Sequence, residues 1–185
     1  IEATKVFTMN MKDCFDEEAL ALVNAGINPL VFPGLHTSTT SEDSKMINFI
    51  EKPKVIISAS GMCDAGRIRH HLKHNLWRPE CTVLFVGYQA QGTLGRRLLE
   101  GEKNIKLFGE EIEVHARIES LHGVSGHADM NGLLKWVGAF ETPLERVFVV
   151  HGEDTVTDEF ARTVADRLGC RTWAPYPGCE VDLLA

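Results

Sequence analysis

Several features that would decide a functional class are missing from this 185-residue sequence. It has no run of about 18 apolar residues, so we expect no transmembrane helix. Its five cysteines form no Cys-x-x-Cys pair, which argues against a zinc site built from thiolates. The N-terminus has neither an initiator methionine nor the basic leader and apolar core of a signal peptide. We therefore expect reduced thiols, a cytoplasmic location, and a chain that is a fragment or a processed product.

Positive charge is scarce overall but concentrated in one segment. The net charge is −7 at pH 7, which disfavours phosphate binding over the whole surface. Between residues 67 and 78, however, four basic side chains occur without an acidic one, namely Arg67, Arg69, Lys73 and Arg78. Such local charge is suited to phosphate contacts. A solvated helix face remains the alternative interpretation.

Alternating strand and helix patterns predict an α/β fold. The apolar runs Lys54–Ala59 and Thr82–Val86 are each followed by a glycine-containing turn and a helical pattern, which is typical of βαβ units in a parallel sheet. Beyond Lys103 the pattern changes. Residues Glu111–Glu119 alternate like a half-exposed strand, and Arg146–Val150 predicts another strand. Further helices are predicted over 16–25, 41–51 and 157–168.

Two histidines lie beside glycines at predicted junctions between strand and helix. His127 lies in Ser125-Gly126-His127-Ala128-Asp129, and His151 follows the strand that ends at Val150. The carboxyl ends of parallel strands face ligand crevices. An imidazole there can transfer a proton near neutral pH or bind a metal. Each histidine could instead satisfy backbone groups, and the spacing alone leaves both interpretations open.

Other patterns are weaker. The loop Gly87–Arg96 follows a strand and opens a helix, but it matches neither the dinucleotide fingerprint nor the Walker A motif. An independent nucleotide-binding domain is therefore our least favoured hypothesis. The turn Ser60-Gly61-Met62 could contact a phosphate or merely connect two elements. His70 and His74 have the spacing of a helical zinc pair, but Lys73 lies beside them and the glutamate of the metalloprotease motif is absent.

Taken in order, the motifs resemble one family. The series is Ser60-Gly61-Met62, Gly66-Arg67-Ile68-x-His70-His71-Leu72, Gly87-Tyr88-Gln89, Gly92-Thr93-Leu94-Gly95, Ser125-Gly126-His127-Ala128-Asp129 and Val150-His151-Gly152-Glu153. It resembles the β-CASP branch of the metallo-β-lactamase superfamily, which includes RNA-processing nucleases related to the polyadenylation-site endonuclease. The resemblance implies a Rossmann-like, parallel-sheet β-CASP portion over 1–106. It also implies that 107–185 is the C-terminal return segment of a metallo-β-lactamase αββα fold.

The resemblance also implies roles for single residues. His127 falls on the second β-CASP motif, where the histidine contacts the scissile phosphate and is a candidate acid. His151 falls on the third motif, where the histidine ligates one of two zinc ions. Ser60 and Ser125 match serines along the path of the RNA phosphates. Arg67 matches by motif, and we assign it to substrate binding through its charge alone.

Most zinc ligands of the family lie outside this sequence, which has no His-x-His-x-Asp-His motif. The resemblance therefore predicts the C-terminal part of a zinc-dependent ribonuclease, inactive as a fragment and completed by its own N-terminal metallo-β-lactamase half. RNA is the expected partner, and a homodimer is possible. The alternative is a non-catalytic module that presents the basic segment to RNA or to a partner protein.

Overall fold

A computed structural model describes residues 2–124 and 126–183. It is an α/β protein, as predicted, with eight α-helices and six strands in the described residues. In chain order they are α1 (Glu2–Met9), α2 (Met11–Cys14), α3 (Glu17–Asn24), α4 (Ser41–Met46), α5 (Ile68–Asn75), β1 (Thr82–Phe85), α6 (Leu94–Leu99), β2 (Asn104–Leu107), β3 (Glu110–Glu113), β4 (Arg117–Ser120), α7 (Met130–Val137), β5 (Arg146–Phe148), α8 (Asp154–Leu168) and β6 (Arg171–Trp173). No helix among the described residues has the length and apolar character needed to cross a membrane.

Internal contacts divide the chain into two compact units, Ile1–Val124 and Ser125–Ala185. In the first unit, β1 pairs in parallel with β4, and β2 pairs with β3 as an antiparallel hairpin. In the second unit, β5 pairs in parallel with β6. Parallel sheets are thus present, as the predicted α/β fold requires, but β1 pairs with β4 and not with the run 54–59 from which the first βαβ unit was predicted.

The core of the first unit forms because apolar side chains recur at the helical period in α5 and at every second residue in β2, so that each element buries one apolar face. In β2, Ile105 and Leu107 are fully buried, whereas the alternate residues Asn104 and Lys106 are exposed. Leu72 of α5 and Leu76, the residue that follows this helix, are four residues apart and face the same core. This core therefore fixes the positions of the strands β1 and β4 and of the loop between α5 and β1.

The second unit has a smaller core beneath α8. This helix buries Ala161 and Val164, three residues apart on one face, and it packs on β6. Gly169 ends the helix in the left-handed conformation, at φ 67°, which glycine adopts without steric cost. The predicted helix over 157–168 is confirmed, with an earlier start at Asp154.

The predicted strand Lys54–Ala59 is wrong for the described part of the chain. Its residues form no ladder, and the side chains of Val55 and Ile57 are 88% and 91% exposed. An apolar run is buried on both faces only where other elements cover it, and no described segment does so here.

The predicted strand over 111–119 is two strands in two different sheets. Val114 and Ala116 turn into the core between β3 and β4. The N–H groups of His115 and Ala116 both donate to the carbonyl of Leu76 instead of to a neighbouring strand. Alternation in sequence therefore identified the exposed face but could not locate this break.

Candidate active-site and RNA-contact residues

Ser60 lies in a closed loop that precedes α5. Its hydroxyl and its backbone N–H both donate to the carbonyl of Ala65 at 3.3 Å. The close approach that shapes this loop requires a glycine at Gly66, where φ is 79° and a Cβ would lie 2.6 Å from the carbonyl oxygen of Ala59. The half-buried Ser60 is thus held in place by its own loop.

The two glycine-containing turns of the first unit are in direct contact. Asp64 accepts a hydrogen bond from the N–H of Leu94 at 2.9 Å, and the carbonyl of Met62 accepts one from Gly95 at 3.0 Å. The hydroxyl of Thr93 caps the next N–H, that of Arg96. The N–H groups that could cradle a phosphate at the start of α6 are therefore bonded within the protein, which disfavours the nucleotide-binding hypothesis.

Arg67 ties this loop to the segment before α4. Its two terminal nitrogens donate to the carbonyls of Ser38 and Thr39, at 3.0 and 2.9 Å. Carbonyl partners hold the guanidinium in place without cancelling its positive charge, part of which lowers the pKa of nearby Asp43, after the larger effect of the hydrogen bonds from Thr40. Arg67 also lines a cavity of about 360 Å³ between α4 and α5. A role in substrate binding remains a prediction for this residue.

Sequence reasoning missed a buried polar network next to Arg67. His71 is 5% exposed, and its ring nitrogens lie 3.1 Å from the hydroxyl of Ser44 and 2.9 Å from Oδ1 of Asn48. Burial lowers the pKa of His71, and nearby His70, His74 and Arg67 lower it further. The neutral ring joins α4 and the turn after it to α5.

This network predicts a pH-dependent stability. Because the pKa of His71 is lower in the folded state, its contribution is complete above the unfolded pKa of about 6.5 and is lost as the pH falls below it. We expect urea unfolding to show a loss of at most about 1.4 kcal/mol per pH unit below that value. His71→Gln should flatten the dependence, whereas His122→Gln, at an exposed histidine that is not among the groups acting on His71, should preserve it. An unchanged slope in His71→Gln would contradict the assignment.

His127 lies in the loop that leads into α7. The side chain of Asp129 caps this helix by accepting a hydrogen bond from the N–H of Gly132 at 2.7 Å. The cap fixes the chain two residues beyond His127, and the histidine itself is exposed. Ser125, the other residue predicted here, lies outside the described residues.

His151 has the most unusual backbone of the predicted residues. It follows β5 by three residues and lies just before α8, with φ at 67°. Left-handed backbone costs a residue with a Cβ roughly 1–2 kcal/mol, and such strain is concentrated at functional sites. Its side chain is exposed, and the imidazole makes no hydrogen bond within the described part of the chain. Such a ring has both nitrogens available.

Glycine is required next to His151. A Cβ at Gly152 would lie 2.9 Å from Cγ2 of Thr157 in the first turn of α8. The N–H of Val149 still donates to the carbonyl of Trp173, so the sheet pairing continues almost to the histidine. His151 is therefore held between a paired strand and a helix start.

The structure places the predicted residues in both units. Ser60 and Arg67 belong to the first unit, and His127 and His151 belong to the second. Among the described residues, no group of three or more histidine, cysteine or acidic side chains is arranged to hold a metal ion. All five cysteines are free thiols. A zinc site at His151 would therefore need ligands beyond the described residues.

Two family models match the chain. The Beta-Casp domain matches residues 1–98, and the Zn-dependent metallo-hydrolase RNA specificity domain matches residues 111–175. These matches confirm the family resemblance that the six motifs predicted. The predicted domain boundary between residues 106 and 107 lies in the gap between the two matches and stays a prediction.

Curated relatives cover most of this chain. Ribonuclease TTHA0252 of Thermus thermophilus is 40% identical over 140 residues, which are 76% of this chain and 32% of that protein. The transcription termination factor FttA of Pyrococcus abyssi is 34% identical over 81% of this chain and 24% of that protein. An RNase J-like protein of Methanocaldococcus jannaschii is 31% identical over 96% of this chain and 40% of that protein. The chain thus spans less than half the length of these relatives.

Proposed function

Because the chain belongs to the β-CASP family of RNA-processing nucleases, we propose that it is the C-terminal part of a zinc-dependent ribonuclease that hydrolyses RNA phosphodiester bonds. The observation that carries this proposal is His151, an exposed histidine on left-handed backbone at the end of β5. Neutral imidazole is a common zinc ligand, and a ring without a hydrogen-bond partner suits that role. The protein encoded by the whole reading frame is called the intact protein below.

His151 and His127 have different roles in this proposal. His151 would contribute one zinc ligand, and the remaining ligands would come from outside this chain. Bound zinc supplies a Lewis acid for the phosphodiester and a water of lowered pKa. His127 would donate a proton to the oxygen that leaves the scissile phosphorus, because an exposed imidazole can carry a proton near neutral pH.

The remaining predicted residues would position the RNA. Ser60 is already held by its loop, Arg67 contributes charge beside α5, and Ser125 precedes the loop of His127. We assign all three to contacts with RNA phosphates. Their hydroxyl and guanidinium groups are common phosphate donors in protein–RNA contacts.

Apolar side chains at the surface support a partner for this chain. Val55 and Ile57, two residues apart in the first unit, are 88% and 91% exposed, and neighbouring exposed apolar side chains of this kind mark interaction surfaces. We propose that the N-terminal metallo-β-lactamase half of the intact protein covers part of this surface, with a second copy as the alternative. Five free thiols fit the proposed cytoplasmic location.

The intact protein provides the test of this proposal. We expect RNA cleavage to stop when a chelator removes zinc and to return when zinc is added back. An unaltered His-x-His-x-Asp-His motif in the upstream reading frame is also expected. RNA binding without cleavage at any zinc concentration would instead support the non-catalytic module.

Transcription termination is the second candidate, because several relatives carry the name of a termination factor. Cleavage of a nascent transcript would serve this role with the same residues. Release of RNA from a stalled elongation complex by the intact protein, and its loss in a His127→Ala variant, would favour this candidate over general RNA processing.

A further inference from the structure

The cavity between α4 and α5 has the features of a ligand site. Its volume of about 360 Å³ lies in the range of small-molecule pockets. Four parts of the first unit form its walls: α4, the loop 65–67 that precedes α5, the first turn of α5, and the tip of the hairpin β2–β3. Its charged, imidazole and aromatic lining residues are Lys45, Arg67, Arg69, His70, His71 and Phe108.

The cavity is lined by cations and by no carboxylate. Lys45, Arg67 and Arg69 contribute positive charge in a chain whose net charge is −7. Lys45 also pairs with Glu42 at 3.2 Å, but both side chains are exposed, so water screens this pair strongly. Arg67 donates only to carbonyl groups. The wall therefore favours an anion.

Arg69 has a buried donor without a partner. Its Nε is buried and makes no hydrogen bond to any described residue, and one terminal nitrogen donates to the carbonyl of Asp64 at 3.4 Å. Buried donors are nearly always satisfied in folded proteins, and exceptions often mark a functional site. Arg69 also lines the cavity, where a phosphate would balance the charge of its guanidinium group.

Phe108 is an unexpected residue for its turn. Phe108 and Gly109 connect β2 to β3, and both have positive φ, at 52° and 86°. Two-residue hairpins of this kind favour Asn-Gly, because asparagine tolerates left-handed backbone better than an aromatic residue does. Turn geometry therefore does not explain the phenylalanine, and its ring needs another explanation.

The ring of Phe108 lies against the basic wall. Its centroid is 4.4 Å from that of His70, with the planes inclined by 21°, and 4.9 Å from the guanidinium carbon of Arg69. The phenylalanine nevertheless remains 47% exposed. An exposed aromatic surface beside phosphate-binding cations is the arrangement that proteins use for single-stranded nucleic acids.

We propose that this cavity binds one nucleotide of a single-stranded RNA segment, with the phosphate at Arg69 and Lys45 and the base against Phe108. The inference rests on the proposed function, because it takes RNA as the ligand. It adds Lys45 and Phe108, which the sequence analysis did not connect to RNA, and it gives Arg69 of the basic segment a specific contact. A free anion would be bound by the positive charges alone and would make no use of the aromatic ring. The presence of Phe108 therefore favours a nucleotide as the ligand.

The test compares three variants of the chain in titrations with a fluorescein-labelled single-stranded RNA of about ten nucleotides. Phe108→Asn should weaken binding by about 5- to 150-fold, the range for loss of one stacked base. It should leave thermal stability unchanged or raise it, because Asn-Gly suits the turn. Arg69→Gln should reduce the slope of log affinity against log salt by about 0.7. Arg162→Gln, at an exposed position of α8, is the charge-matched control and should bind like the wild type.

Each other outcome overturns a specific part of the inference. RNA binding by the wild type that Phe108→Asn and Arg69→Gln leave unchanged would remove the cavity as the subsite and would leave the proposed function standing. Equal competition by inorganic phosphate, or by an acidic peptide, would reject a nucleotide as the ligand. Absence of RNA binding by the wild-type chain would overturn the subsite, and the zinc and cleavage assays on the intact protein decide the proposed function separately.

Discussion

In the intact protein, His127→Ala is expected to lower kcat for RNA cleavage by about 10²- to 10⁴-fold, the usual contribution of a general acid. The affinity for RNA should change little, because proton donation stabilises the transition state and not the bound substrate. The loop should keep its shape, since Asp129 still caps α7 through the N–H of Gly132. Single-turnover cleavage and RNA binding measured on the same protein would separate these two effects.

A matched control is available in the same region. His122 is also an exposed histidine, five residues before His127 and outside the motif. His122→Ala should cleave RNA at the wild-type rate. If His127→Ala also retains the wild-type kcat, His127 has no part in the proton transfer, and another group must protonate the leaving oxygen.

Replacement of His151 is expected to remove zinc as well as activity. Loss of a direct ligand should cost more than the roughly 10- to 100-fold in metal affinity that is typical of the residues supporting a ligand. Glycine is the appropriate substitution, because it adopts the φ of 67° at this position without strain, whereas alanine would keep the strain. His151→Gly should therefore fold at least as stably as the wild type while it loses zinc and cleavage together.

For His151→Gly, mass spectrometry would measure the zinc content and thermal unfolding would measure the stability. His36→Ala, at an exposed histidine of the first unit, is the control and should keep the wild-type zinc content. A fully metallated His151→Gly protein would exclude the histidine as a ligand. A poorly folded one would show that the left-handed histidine is needed for the turn between β5 and α8.

The sequence was sufficient to predict helices and strands whose apolar residues recur at the period of the element. The strand at 82–86 and the helix at 157–168 carry apolar residues at the period of their structure, and both are present. The segment 54–59 carries the same kind of apolar run but forms no strand among the described residues. Whether such a run pairs depends on neighbours far away in sequence, which a local pattern does not contain.

In the candidate site, too, the features that depend on neighbouring residues could be predicted, whereas contacts between residues far apart in sequence could not. The position of His151 at a strand end followed from the strand pattern, but its left-handed backbone did not. The buried contacts of His71 with Ser44 and Asn48 join residues more than 20 positions apart, which no spacing rule reveals. The Phe-Gly pair at 108–109 was a readable signal, because a hairpin turn with phenylalanine in the first position departs from the usual Asn-Gly.

We propose that this chain carries two active-site histidines of a zinc ribonuclease, one of them a metal ligand, and that the remaining ligands lie elsewhere in the intact protein. The most direct measurement is the rate of hydrolysis of a labelled RNA with added zinc, made in parallel on the 185-residue chain and on the intact protein. We expect zinc-dependent cleavage by the intact protein and none by the chain alone. Robust zinc-dependent hydrolysis by the chain alone, or no cleavage by the intact protein, would contradict it.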